Sequence, residues 1–311
     1  MTDTPRILLI GADGQVGWEL RRTLAPVGQV IAASVSGQDG PSVDLTEPAS
    51  VRRLFNETAP DAVVNAAAYT AVDKAESQPE LAQAINGDAL GLIAELCTAP
   101  RIPVIHYSTD FVFSGVTDHP YREDDPAEPR SVYGRTKLAG EQALLESGAP
   151  ALVFRTAWVY GVRGSNFLLT MLNLFRERAE LRIVDDQIGT PTWSRMLAEV
   201  TAQIAYRVFH AGLDIEGVKG LYHLTGGGAT SWFGFAEAIR EATGSQCRLL
   251  PIPTSEYPAP AQRPAYSVLD TGRFRKTFGL ALPDWRQSLA LCLADLREQR
   301  PFLAPAVSTP K

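Results

Sequence analysis

Tyr133 and Lys137 stand four residues apart in Ser131-Val-Tyr-Gly-Arg-Thr-Lys137. On a helix, that spacing puts both side chains on one face. An ammonium beside a phenol favours the phenolate and draws the tyrosine pKa down from its ordinary value of about 10. A tyrosine tuned in that way can pass a proton to or from a carbonyl oxygen. Alone the pair is a weak signal, because any helix surface can carry it. Its weight comes from a glycine-rich turn upstream, Gly11-Ala-Asp-Gly14-Gln-Val-Gly17. Glycines so spaced allow a tight turn and a close approach of backbone to a pyrophosphate at a helix N-terminus. A dinucleotide site combined with a proton-passing tyrosine means carbonyl–alcohol redox chemistry.

Other candidates lie where strands should end. A sheet that binds NAD usually offers an acid at the end of its second strand, for the ribose hydroxyls. Ser34 stands at that place. A serine does not repel a 2′-phosphate, yet no arginine follows within 35–40 to bind one, so NADPH and NADH are both permitted. Asp44 and Leu45 either flank an adenine, or Asp44 is a turn residue or helix cap near Thr46. In Asn65-Ala-Ala-Ala-Tyr69-Thr70, the small Ala67 and Ala68 either let the chain pass close to a ligand or serve tight helix–sheet packing. Tyr107-Ser108-Thr109-Asp110 falls at a carboxyl edge, where such sheets bind ligands. A hydroxyl at Thr109 can donate to a carbonyl beside Tyr133, although Ser-Thr-Asp is also a common capping turn. His106, His119, His210 and His223 are dispersed and read as structural or surface residues. Glu123-Asp124-Asp125 reads as a solvated loop.

The elements that must position these groups follow from the apolar pattern. Near-continuous apolar runs at 6–11, 29–33, 62–66, 103–108 and 151–155 read as strands. Helical stretches at 15–24, 49–58, 80–97 and from Tyr133 to 147 alternate with them. That alternation, opening on a glycine turn, predicts an α/β fold with a doubly wound parallel sheet covered on both faces. Residues 1–160 are expected to form the dinucleotide-binding core, with later segments open to recruitment. Residues 161–300 are expected to form mainly a smaller C-terminal substrate-binding lobe, and 301–311 a mobile tail. Helices are predicted there at 166–178, 193–211, 232–243 and 285–299, and short strands at 181–184, 221–224 and 247–251. The proline-rich 251–264 reads as a long loop, often a functional feature in a compact domain.

Bulk numbers set the class. The chain has 311 residues, 45% hydrophobic and 21% charged, with net charge −6. That balance gives no surface for nucleic acid or anionic membrane. No apolar run approaches the ~20 residues of a membrane span, and no signal-peptide pattern opens the chain. The three cysteines, Cys97, Cys247 and Cys292, lack metal-ligand spacing and read as buried hydrophobes in a reducing compartment. A soluble cytoplasmic protein is expected.

Longer motifs carry a resemblance. They are Gly14-Gln-Val-Gly-Trp-Glu-Leu20, Asn65-Ala-Ala-Ala-Tyr-Thr-Ala-Val-Asp-Lys-Ala-Glu76, His106-Tyr-Ser-Thr-Asp-Phe-Val-Phe113, Val132-Tyr-Gly-Arg-Thr-Lys-Leu-Ala-Gly-Glu141, Phe154-Arg-Thr-Ala-Trp-Val-Tyr160, Asp186-Gln-Ile-Gly-Thr-Pro-Thr192 and Arg263-Pro264. Through them the chain resembles the extended short-chain dehydrogenase/reductases, a Rossmann-fold family, from about Arg6 to Leu296. The resemblance implies reduction of the C4 ketone of dTDP-4-dehydro-L-rhamnose, with NADPH or NADH as cofactor. It assigns proton donation to Tyr133. Lys137 would lower the tyrosine pKa and hold the nicotinamide ribose, and Thr109 would bind the reacting oxygen. Cofactor contacts carry over to Gly14, Gln15, Val16, Asp44, Leu45, Ala68, Tyr69, Thr70 and Tyr107. Sugar contacts carry over to Thr109, Asp110 and Trp158, whose indole face suits a deoxysugar ring. Asn166 and Arg263 fall to the nucleotide diphosphate.

Two departures from the family pattern stand out. Many members carry an acid where Ser34 stands, which tilts the expectation toward NADPH. Some members are homodimers linked through Mg²⁺ by glutamates. Glu19 fits that pattern, but Arg195 occupies a neighbourhood where such members are acidic, which argues against a metal and leaves a homodimer open. Related folds also serve as non-catalytic NADP-binding regulatory subunits. The joint presence of Thr109, Tyr133, Lys137 and Trp158 argues for an enzyme instead. A dehydratase of this fold needs further acid/base groups, often an Asp-Glu pair after the threonine position, and here Phe111 follows Asp110. An epimerase would keep its NAD through cycles and need none added.

Overall fold

The computed structural model describes residues 4–299; the expected tail at 301–311 lies outside the described residues. The first part of the chain runs β1 (Arg6–Ile10), α1 (Gln15–Thr23), β2 (Gln29–Ala33), α2 (Pro48–Thr58), β3 (Ala62–Asn65), α3 (Val72–Ala75), α4 (Pro79–Gln83), α5 (Ala89–Thr98), β4 (Val104–Thr109), α6 (Val132–Glu146) and β5 (Ala151–Thr156). It continues β6 (Val159–Tyr160), α7 (Phe167–Glu177), β7 (Glu180–Val184), β8 (Ile188–Gly189), β9 (Thr192–Trp193), α8 (Ser194–His210), α9 (Ile215–Val218) and β10 (Gly220–His223). The last elements are β11 (Thr230–Ser231), α10 (Trp232–Thr243), β12 (Arg248–Ile252), α11 (Gly272–Phe278) and α12 (Trp285–Gln299).

The central sheet is six-stranded and parallel, in the order β10-β5-β4-β3-β1-β2. Successive side chains of a strand point to opposite faces, and β1 shows the consequence. Ile7 and Leu9 enter one core with Leu20 and Leu24 of α1, Leu197 and Ile204 of α8, and Phe274 of α11. Leu8 and Ile10 enter the other with Val51 and Leu54 of α2, Leu90 and Ile93 of α5, and Leu144 of α6. The strand order reverses between β1 and β3, and in open α/β sheets ligands bind at such a switch point. The chain beyond residue 160 returns to this sheet. β10 is its sixth strand, pairing Gly220–His223 with Leu152–Arg155, and α8 packs on α1.

The remaining C-terminal elements build a lobe on one end. β7 and β12 pair in parallel. Phe235 of α10, Leu168 of α7 and Trp285 of α12 fill the space beneath them with Tyr160 and Trp193. The helix expected over 80–97 is interrupted by a π turn at Ala84–Asp88. There Asn86 turns inward, accepts from the Tyr69 N–H at 2.8 Å and donates to Thr136 Oγ1 at 3.1 Å. Glu123, expected in a solvated loop, is buried, because its carboxylate accepts from the His223 N–H at 2.9 Å. Among the described residues, no helix is long and apolar enough to cross a membrane.

A buried ion pair ties α6 to the sheet. Arg155 Nε donates to Glu141 Oε2 at 3.0 Å, and the two side chains are 4% and 2% exposed. Removing one partner leaves the other charge buried without compensation. Glu141→Ala is expected to lower the unfolding free energy by roughly 3–5 kcal/mol, measured by urea denaturation of the cofactor-free protein. A loss near zero would show that water reaches Arg155.

Candidate active site

A cleft of about 510 Å³ opens at the carboxyl ends of the strands. Gly11, Gly14, Gln15, Val16, Ser34, Ala67, Ala68, Thr70, Tyr107, Tyr133 and Lys137 line it. The glycines of the first turn divide their work. Gly11 sits at φ +83°, and a Cβ there would lie 2.5 Å from the Ala67 nitrogen, so the turn rests directly on the loop after β3. A Cβ on Gly17 would lie 2.0 Å from the Gly11 carbonyl oxygen, so it serves helix–turn packing rather than the cleft wall. Gly14 is the N-cap of α1, with no side chain capping the helix and no acid in its first turn. Its N–H groups and dipole suit an anion. Among the described residues, Ser108 Oγ and Thr156 Oγ1 are buried in this cleft without a hydrogen-bond partner. Buried hydroxyls are normally bonded, and the two suit a polar ligand such as a dinucleotide.

The catalytic candidates converge at the deep end. Ser131 caps α6 by accepting from the Gly134 N–H at 3.1 Å. A Cβ on Gly134 would lie 2.2 Å from the Phe111 carbonyl oxygen. That glycine therefore lets α6 start hard against the loop after β4, which brings Tyr133 to Thr109. Burial of its hydroxyl pushes the Tyr133 pKa up to about 12, although a hydrogen bond with Thr109 pulls the other way. Thr109 Oγ1 also donates to Asp110 Oδ1 at 3.1 Å. Burial raises Asp110 to about 6.

Lys137 departs from the sequence expectation. Its Nζ donates to the Tyr107 carbonyl at 2.6 Å and lies 3.0 Å from His106 Nε2. The side chain is 1% exposed, and burial lowers its pKa to about 7 against the opposing charge of Glu141. In the free protein the amine is thus fastened to β4, and the Tyr133 pKa is raised, not lowered as the Tyr-x-x-x-Lys spacing suggested. His106, read from sequence as structural or surface, is a direct partner of Lys137. Its ring is fully buried, and Asn65 Nδ2 lies 3.2 Å from its Nδ1. Burial first, and the Lys137 charge second, hold it well below the usual histidine range.

The other candidates, Asp44, Leu45, Tyr69, Trp158, Asn166 and Arg263, are not among the residues that line this cleft. Asp44 accepts from Thr46 N at 2.9 Å and Thr46 Oγ1 at 2.7 Å, the turn-cap geometry. Leu45 is buried in the α2 core. Tyr69 donates its hydroxyl to Gln78 Oε1 at 2.6 Å. Asn166, which the resemblance assigns to a diphosphate, is engaged within the chain in this structure. Its Nδ2 donates to Gln15 Oε1 and to the carbonyls of Gly161 and Arg163, while its Oδ1 caps α7 at Leu169 N. With its amide so engaged, it is a clasp between α1 and the lobe. Arg263 is held by Asp73 of α3 at 2.7 Å. Trp158 has φ +48°, a conformation rare outside glycine, and its indole stacks on Trp232 at 3.5 Å. A Cβ on Gly189 would enter that indole, so the lobe is cut to fit the ring. Trp232 and Arg263 also line an apolar cavity of about 340 Å³ with Tyr257 and Phe167. Trp232 and Tyr257 are not legible as pocket residues from sequence, because an aromatic at helical or loop spacing carries no mark of a pocket.

Glu19 does not present a cation site. Arg22 and Arg195 both reach its Oε2 at 3.2 Å, and Arg195 also pairs with Asp295 at 2.7 Å. A guanidinium stands where a metal would need a carboxylate, so the residues present do not fit Mg²⁺.

Fold and site define a Rossmann-type, nicotinamide-dinucleotide-binding protein of the short-chain dehydrogenase/reductase class. The family model described as RmlD substrate binding domain matches residues 5–298. A dTDP-4-dehydrorhamnose reductase of Burkholderia thailandensis is 46% identical over 302 residues, covering 94% of this chain and 100% of that one. One of Escherichia coli is 46% identical over 296 residues, 93% of this chain and 97% of that one. The solved structure of a Bacillus anthracis dTDP-4-dehydrorhamnose reductase in complex with NADP superposes with a TM-score of 0.86 at 31% identity, over 94% of this chain and 99% of that chain. The chain belongs to the RmlD family of dTDP-4-dehydrorhamnose reductases.

The depressed Lys137 pKa has a measurable sign. Between about 7 and the ordinary 10.5, the unfolded chain binds the proton that the folded one has lost. Stability from this group therefore rises with pH across that window. Comparing unfolding free energies at pH 7 and 9.5, the wild type is expected to gain relative to Lys137→Met. Parallel pH curves for the two would mean that the buried amine keeps its charge.

Proposed function

We propose that the protein reduces the C4 ketone of dTDP-4-dehydro-L-rhamnose to the alcohol of dTDP-L-rhamnose with NADPH or NADH, in the cytoplasm. The observation that carries the reading is the Tyr133 phenol, held against Thr109 at the end of a glycine-cradled cleft, one helical turn from Lys137. Bound in that cleft, the nicotinamide cofactor supplies the hydride. The residues of the chain handle the proton. A raised pKa keeps the proton on Tyr133 at neutral pH, so the side chain is a donor toward an oxygen that gains negative charge. Thr109 holds the phenol and stands where a second hydrogen bond to that oxygen is made. Lys137, at about 7, can carry its charge one helical turn from the phenolate that forms.

Support for the substrate side comes from the lobe. Trp158 stacks on Trp232, whose cavity with Tyr257 suits a flat base and has Arg263 in its wall for a diphosphate, and Asp110 accepts from Thr109 beside the phenol. Ser34, Thr70 and Tyr107 complete the cofactor wall in this reading. The neighbouring Glu19–Arg195 cluster has no part in it.

The direct test mixes purified protein, NADPH or NADH, and enzymatically made dTDP-4-dehydro-L-rhamnose, and follows the nicotinamide absorbance. Oxidation with dTDP-L-rhamnose as product is expected. Cofactor binding with no turnover would instead favour a non-catalytic NADP-binding subunit. Tyr133→Phe is expected to lower kcat by about 10²–10⁴-fold while NADPH affinity is unchanged. Full activity in that variant would remove Tyr133 as the proton donor.

A further inference from the structure

The end of β2 lacks the carboxylate that reads ribose hydroxyls in many NAD-binding sheets; Ser34 stands in its place. The fold brings a carboxylate back from a different element. Asp13, in the turn after β1, accepts from Ser36 Oγ at 2.8 Å, and Ser36 Oγ lies 3.1 Å from Ser34 Oγ. Asp13, Ser34 and Val35 line the same cleft. The two serines thus hold the Asp13 carboxylate at the wall where the second strand ends. We propose that Asp13 takes the ribose-reading position and makes this protein favour NADH over NADPH. The inference rests on reading the cleft as a nicotinamide dinucleotide site.

The charges around Asp13 support the direction. Hydrogen bonds from Ser36 and Ser34, and then the Arg21 charge, hold its pKa below the ordinary carboxylate value, so it is an anion at neutral pH. An anion accepts hydrogen bonds from a ribose diol. The same anion repels a 2′-phosphate. Arg21, whose charge reaches Asp13, is already paired with Asp39 at 2.8 Å, which offsets part of what it offers a phosphate. The Arg163 guanidinium lies over the Trp18 ring at 3.4 Å. The serine that sequence alone reads as a tilt toward NADPH is therefore half of a device that presents an acid.

The test needs no sugar substrate. Dissociation constants of NADH and NADPH are measured by quenching of tryptophan fluorescence, for the wild type, Asp13→Ala and Asp13→Asn. Asp13 is exposed, and thermal melts of the three proteins check that the fold is kept. The wild type is expected to bind NADH roughly tenfold more tightly than NADPH. Both variants should lose most of that ratio, chiefly through tighter NADPH. Asp13→Asn should keep more of the NADH affinity than Asp13→Ala. A wild type that binds NADPH equally or more tightly overturns the proposal, as does a ratio unmoved by Asp13→Ala. Failure of the wild type to bind either dinucleotide overturns it together with the reading of the cleft. Tight binding without turnover of the keto-sugar would sink only the proposed reaction.

Discussion

A lysine amine with 1% exposure must be satisfied by its surroundings, and much of the site is arranged around that demand. Burying an ammonium without partners is prohibitive, so such a group is bonded, loses its proton, or both. Lys137 has the Tyr107 carbonyl at 2.6 Å and the His106 ring at 3.0 Å. Those partners come from β4, and His106 is itself steadied by Asn65 of β3. Asn65 in turn accepts from the Ala67 N–H at 3.1 Å, which shapes the loop that Gly11 rests on. One chain of contacts therefore runs from the amine through two strands to the glycine turn. It crosses the place where the strand order reverses, so Lys137 and the glycine turn share a support.

The helix that carries Lys137 is seated with equal care. α6 is pinned at its start by Ser131, by Glu76 accepting from the Val132 N–H at 2.8 Å, and by the bare surface of Gly134 against Phe111. Along its length, Thr136 meets Asn86 from the π turn. Further on, the Glu141–Arg155 pair fixes it to β5. A π turn is a costly irregularity often found at functional sites. Here it turns an asparagine inward to bond both the loop after β3 and α6. The lobe shows a comparable irregularity in Trp158, whose left-handed backbone sets its ring flat on Trp232. Backbone strain of that kind persists only where packing enforces it, and Gly189 leaves the required room.

Gly11, Gly14 and Gly17 were legible because a turn between strand and helix has few solutions and glycine marks them. Tyr133 was legible from its spacing to Lys137, and the sheet from unbroken apolar runs. Helix and strand limits agreed to within a residue or two at most elements, since apolar periodicity is a local property. The π turn at Ala84–Asp88 was not legible, because its cause is Asn86 meeting Thr136 fifty residues away. His106 was passed over for the same reason, as nothing local says what faces an inward side chain.

What the sequence by itself determined is therefore the alternation of elements, the glycine cradle and the types of the groups that can move a proton. Those follow from local backbone preference and from the period of apolar residues. Only the tertiary structure decided which way the energies run. It placed Lys137 on β4 rather than free beside the tyrosine, and it left Tyr133 raised to about 12. It committed Asn166 to Gln15, set Arg195 against Glu19, and carried Asp13 to the end of a strand that lacks an acid. Burial and cross-chain charge control each of these, and both are properties of residues that the fold makes neighbours.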